Sequence, residues 1–302
     1  MSFNEGTRLD PSRIQRRGRG GGGSGVAVGG GIGGFIIVLL LMLFNIDPST
    51  IGLDSGSNGP GAAGPDDATQ QQDFEQRCTT GASANEYADC RVLATIESLD
   101  AYWNDALPAV GVRNRLPGVV VFDYSTSSGC GQASQQTGPF YCPPDETLYM
   151  DTTFFQTLSQ FGFEQGNLAE AYVVAHEYGH HIQNTLGIFD IAYRTSTGPN
   201  SDTVKVELMA DCLAGVWVGN AATVPDPETG IPFLEPITEA QLQNALAAAE
   251  SVGDDRIQET VGGQAKPHTY THGTSEQRAQ AFTTGYNNGT VASCDLFGVV
   301  GR

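Results

Sequence analysis

The chain has 302 residues, 39% of them hydrophobic, with 34 acidic side chains against 15 basic ones, a net charge of −19 and a pI near 4.4. That is enough apolar material for one sizeable domain or two small ones. Acidity on this scale excludes the basic footprint that a nucleic-acid partner requires.

Residues 1–25 hold Arg8, Arg13, Arg16, Arg17 and Arg19 with a glycine run, the composition of a disordered basic tail. Residues 26–46 carry no charge. Their strongly apolar part is short, but the Gly, Ala and Val residues ahead of it bring the stretch to a length that crosses a bilayer. No small-residue cleavage site follows closely, so an uncleaved transmembrane signal anchor is expected rather than a removed signal peptide. With arginines ahead of the span and Asp47, Asp54, Asp66 and Asp67 behind it, the N-terminus is expected in the cytoplasm and residues 47–302 outside the cell membrane. Residues 47–72, rich in Gly, Ser, Pro and Asp, read as a flexible linker, and 73–302 as the functional domain.

All six cysteines, Cys78, Cys90, Cys130, Cys142, Cys212 and Cys294, lie beyond the span. An even count in an outward-facing domain points to three disulfides rather than metal thiolates. Six cysteines allow fifteen pairings. Proximity suggests Cys78 with Cys90 and Cys130 with Cys142, which leaves Cys212 for Cys294. Residues 86–107 place apolar side chains at helical spacing and stop before Pro108. Residues 119–124 (VVVFDY) predict a buried strand, 125–146 a loop and 148–151 a short strand. Phe154, Phe155, Leu158 and Phe161 are expected as core under a short helix.

The next stretch, 167–187 (NLAEAYVVAHEYGHHIQNTLG), predicts one amphipathic helix, with Asn167 as N-cap, Glu170 as its capping-box partner and Gly187 as the stop. His176 and His180 are four apart and share a face, and Glu177 follows the first. This is H-E-x-x-H, two zinc ligands plus a carboxylate that can deprotonate a water on the metal. Two solvated surface histidines are a poorer reading, because Tyr172, Val173, Val174, Ala175 and Ile182 surround them. His181 points off the ligand face. In zinc peptidases a strand just upstream, here 148–151, can receive substrate as an added edge strand.

Residues 203–220 predict a second helix carrying Glu207 and, one turn on, Asp211. Carboxylates on so apolar a helix are costly unless paired or metal-bound. Zinc held by two histidines needs a third protein ligand and an open position, and Glu207 supplies that ligand. Asp211 is placed to accept a hydrogen bond from the ring of a ligating histidine. A third ligand of the H-E-x-x-H-x-x-G-x-x-H class is excluded, because Gln183 and Leu186 stand where its glycine and histidine belong. Residues 238–252 predict a third helix, and a last helix begins at Ser275. Between them lie His268 and His272. A histidine downstream of such a site can steady an oxyanion, and it can equally be structural.

HEYGHHIQN, ELMADCLAGVW, GPFYCPPDETLYMD, GDDRIQ and THGTSEQR, in this order behind a basic, glycine-rich stretch, resemble the bacterial Putative neutral zinc metallopeptidase family. The likeness implies an α+β, zincin-like domain, mainly helical with a small sheet, behind one N-terminal transmembrane helix. It also implies His176 and His180 as ligands, Glu177 as base and Glu207 as the third ligand. The expectation is therefore a membrane-anchored zinc endopeptidase acting outside the cell on peptides or proteins, with Zn2+ as cofactor, the lipid bilayer as a partner and His272 assisting. The alternatives are a catalytically silent binding module with structural zinc, and a metal hydrolase acting on cell-wall peptides.

Overall fold

The computed structural model describes residues 2–17, 67–123, 125–134, 137–154, 167–260 and 263–300. These are mixed α and β and form two compact units, one comprising residues 11–77 and 117–154, the other residues 1–10, 78–116 and 155–302.

The first unit is built on a four-stranded sheet. Strand β1 (Gln15–Arg17) and helix α1 (Asp67–Arg77) are followed by β2 (Gly118–Phe122), a hairpin of β3 (Ser125–Ser128) and β4 (Gly131–Ser134), then β5 (Phe140–Cys142) and β6 (Thr147–Asp151). The sheet order is β1-β2-β6-β5, with β1, β2 and β6 parallel and β5 antiparallel to β6. Val119, Val120, Val121 and Phe122 are all buried, as a parallel strand covered on both faces requires. Phe140 and Tyr149 stack at 4.9 Å on one face, and a Cys130–Cys142 disulfide ties the hairpin to β5.

Three expectations are corrected here. Strand β6 lies inside the sheet, with both hydrogen-bonding rows used along Thr147–Tyr149, so the free edges are β1 and β5 and no peptide can add beside that part of β6. The loop expected over 125–146 contains β3 and β4, whose Ser, Thr and Gly residues lack apolar alternation, and β5, only three residues long and buried throughout. The linker expected over 47–72 ends earlier, because residues 67–72 begin α1, whose Phe74 is buried.

The second unit is helical: α2 (Gly81–Glu86), α3 (Ala88–Ala106), α4 (Asn167–Thr185), α5 (Ile188–Ile191), α6 (Asp202–Asn220), α7 (Glu239–Ser251), α8 (Asp254–Thr260) and α9 (Ser275–Asn288). Helices α6, α7 and α9 begin at Ser201, Thr238 and Thr274, whose hydroxyls accept backbone N–H groups of the first turn. Helix α6 packs on both α4 and α9. At the α6–α9 crossing a Cβ on Gly215 would overlap the Phe282 carbonyl, and one on Gly285 the Cys212 carbonyl, so only glycine permits this backbone contact. Disulfides Cys212–Cys294 and Cys78–Cys90 complete the three expected pairs.

The N-terminus is a further correction. Residues 2–17 are ordered parts of the fold rather than a tail, because Phe3, Leu9 and Ile14 are buried and their backbone is hydrogen-bonded. Apolar residues so far apart leave no periodic signal. Among the described residues no helix is long and apolar enough to cross a membrane. The predicted anchor over 26–46 lies outside the described residues, as do Phe155, Leu158 and Phe161, whereas Phe154 is buried.

Candidate metal centre

Helix α4 projects His176 and His180 from one face, their rings 4.8 Å apart and edge to face. Helix α6 crosses that face closely at Gly179, where a Cβ would come within 3.0 Å of the Ala210 carbonyl oxygen. That approach brings Glu207 to the imidazoles. Its Oε1 lies 3.6 Å from His180 Nε2 and its Oε2 3.2 Å from His176 Nε2, without the angle of a hydrogen bond. Donor atoms of the three residues all lie within 4.8 Å of one another. His180 Nε2 and Glu207 Oε2 are buried without a hydrogen-bond partner. Buried polar atoms are almost always satisfied, so two unsatisfied donors facing one point fit a cation there.

Each ring nitrogen opposite the cluster is held. His176 Nδ1 donates to Asp211 Oδ1 at 2.8 Å, and His180 Nδ1 to Gln183 Oε1 at 2.9 Å. Both Nε2 lone pairs are thereby turned towards Glu207. Gln183 is fixed in turn by donating to the Val206 carbonyl at 2.6 Å. Asp211 sits in a buried network. Arg278 grips both its oxygens at 2.8 and 2.9 Å, and the Tyr172 hydroxyl donates to Oδ1 at 2.5 Å. Burial opposes ionisation of Asp211, but the charges of Arg278 and His176 outweigh it and hold the carboxyl well below its usual range.

Electrostatics separate the two histidines. Burial works against protonating His176, yet the adjacent Asp211 carboxylate raises it to about 9. For His180 burial prevails, assisted by the charge on His176, and lowers it to about 4. Glu207, against the cost of burial, is held at about 2 by His180, His176 and His272. A cation entering this cluster meets a carboxylate already ionised and one imidazole already neutral.

Glu177 is buried on α4 between the histidines in sequence. His272 is buried as well, its Nδ1 bonded to Thr271 Oγ1 at 2.9 Å and to Asp254 Oδ1 at 3.3 Å. The other oxygen of Asp254 accepts the backbone N–H groups of Thr271, His272 and Gly273 at 2.7 to 3.0 Å. Gly273, at φ +88°, lies against Val204 and Leu208 of α6, the helix that carries Glu207. His268 is exposed on a separate turn. His181 faces away, with Nε2 2.5 Å from the Arg115 carbonyl. Gln183, Arg278 and Asp254 are the members that sequence reasoning missed.

Two imidazoles and a carboxylate from adjacent helices form a group of three donors that could hold a metal ion. The chain belongs to the Putative neutral zinc metallopeptidase family, which it matches over residues 4–297. It is 49% identical over 222 residues to the uncharacterized protein Rv2575 of Mycobacterium tuberculosis, covering 73% of this chain and 74% of the relative. It is 36% identical over 239 residues to the uncharacterized protein YpfJ of Escherichia coli, covering 76% of this chain and 79% of the relative. No solved structure matches significantly.

Proposed function

We propose that this protein is a zinc-dependent endopeptidase with a zincin-like catalytic centre, acting on peptides or proteins. His176, His180 and Glu207 would hold the metal. Zinc at such a site supplies a Lewis acid that polarises a carbonyl and brings the pKa of a water down to about 7. Glu177 would take the proton from that water and return it to the departing amine. Asp211 and Gln183 keep the two rings in the tautomer that faces the cation, and Arg278 keeps Asp211 ionised. His272, tethered by Asp254, would donate to the oxygen that becomes negative in the tetrahedral adduct.

The observation that carries this reading is the donor count. Among the described residues the cluster brings together three protein donors, whereas structural zinc sites are usually closed by four. That favours catalysis over a silent module. Glu177→Gln should leave zinc bound at one equivalent while peptide cleavage falls by at least about 100-fold, the lower range for a general base. Undiminished turnover in that variant would remove Glu177 from the mechanism. Incubating the enzyme with protein and with cell-wall peptides in parallel separates the two hydrolase readings.

A further inference from the structure

We propose that residues 2–17 and residues 67–300, which flank the apolar stretch 26–46 in sequence, lie on the same side of any membrane this protein meets. The partners of the N-terminal segment lie on the far side of that stretch in sequence. In the helical unit, Asn4 N–H donates to the Phe233 carbonyl at 2.9 Å and Glu235 N–H to the Ser2 carbonyl at 3.0 Å. Asn85 clasps Phe3 from both sides, its Oδ1 accepting from the Phe3 amide at 2.8 Å and its Nδ2 donating to the carbonyl at 3.0 Å. Leu9 N–H donates to Thr79 and Gly81 N–H to Thr7, each at 3.1 Å. A Cβ on Gly81 would overlap the Asn4 carbonyl, so the two backbones lie in contact. Phe3 is 1% exposed.

The sheet unit repeats the pattern independently. Gln15–Arg17 pairs in parallel with 120–122, and the Arg16 guanidinium lies 2.6 Å from Asp123. A single crossing would place about 30 Å of hydrocarbon between these partners. Undocking the segment would instead bare Phe3, Leu9 and Ile14 and strand the amides that Asn85, Phe233 and Thr79 satisfy. The charge argument for a cytoplasmic N-terminus also weakens. Arg16 is neutralised by a nearly buried ion pair, and Arg17 is spent on Thr126 and the Ser127 carbonyl.

The inference does not depend on hydrolase activity, and thiol labelling of the full chain tests it. Glu5→Cys and Glu239→Cys each put one free thiol at an exposed site on either side of the apolar stretch. With a membrane-impermeant maleimide on spheroplasts, the two positions should label together, both before lysis or both only after it. Labelling of Glu239→Cys before lysis and of Glu5→Cys only after lysis would overturn the proposal. Phe3→Ala in the purified full chain gives a second reading. Docking predicts a fall in Tm of roughly 5 °C or more, and an unchanged Tm counts against it.

Discussion

The chemistry of the centre depends on side chains that never touch the metal. His176 and His180 have a usable lone pair towards Glu207 only because Asp211 and Gln183 occupy their other nitrogens. Asp211→Asn should weaken zinc binding about 10- to 100-fold in a chelator competition, with the fold intact by circular dichroism. Unaltered affinity would show that the Asp211 contact does not orient the ligand. His176, His180, Glu207 and Asp211 were legible because helical spacing alone puts each pair on one face. Gln183 carried the same kind of signal, three residues from His180, but its amide is not a metal-ligand type and drew no notice. Arg278 was illegible for a different reason. An arginine near a helix start reads as a solvated charge, and only tertiary packing buries it against an aspartate from another helix.

At the scale of elements, the site is set by how closely helices approach. Gly215 and Gly285 let α6 and α9 touch backbone to backbone, and Gly179 does nearly the same between α4 and α6. Glycine inside a helix costs about 1 kcal/mol relative to alanine, so a tight crossing must compensate for it. Gly215→Ala should therefore destabilise rather than stabilise, by about 1–3 kcal/mol in denaturant melts, through displacement of α9 from the Phe282 carbonyl. A gain in stability would mean that the crossing is looser than described. The long helices and the VVVF strand were evident from periodicity and β-branched content. The β3–β4 hairpin and the N-terminal strand were not, since small polar residues or isolated apolar ones reveal their pairing only in three dimensions.

For the molecule as a whole, acidity shapes stability as well as solubility. Glu97 on α3 is half-buried near Asp10, Asp100 and Asp226, and burial, reinforced by those carboxylates, raises it from 4.5 to about 8 even though the Asp10 amide donates to it at 2.6 Å. Because the folded state holds this proton more tightly than the unfolded chain, the contribution to stability is complete below pH 4.5 and lost as pH rises through about 8. Glu97→Gln should flatten that decline, recovering on the order of 1–3 kcal/mol at pH 9 and little at pH 4, after allowing for solvent screening. Parallel slopes in denaturation at the two pH values would rule the group out. X-ray absorption on the zinc-loaded full chain tests the three-donor metal centre. One zinc per chain is expected, with nitrogen and oxygen neighbours at about 2.0–2.2 Å, no sulfur, and loss of the metal in Glu207→Ala. Sulfur in the coordination shell, or full zinc retention without Glu207, would contradict it.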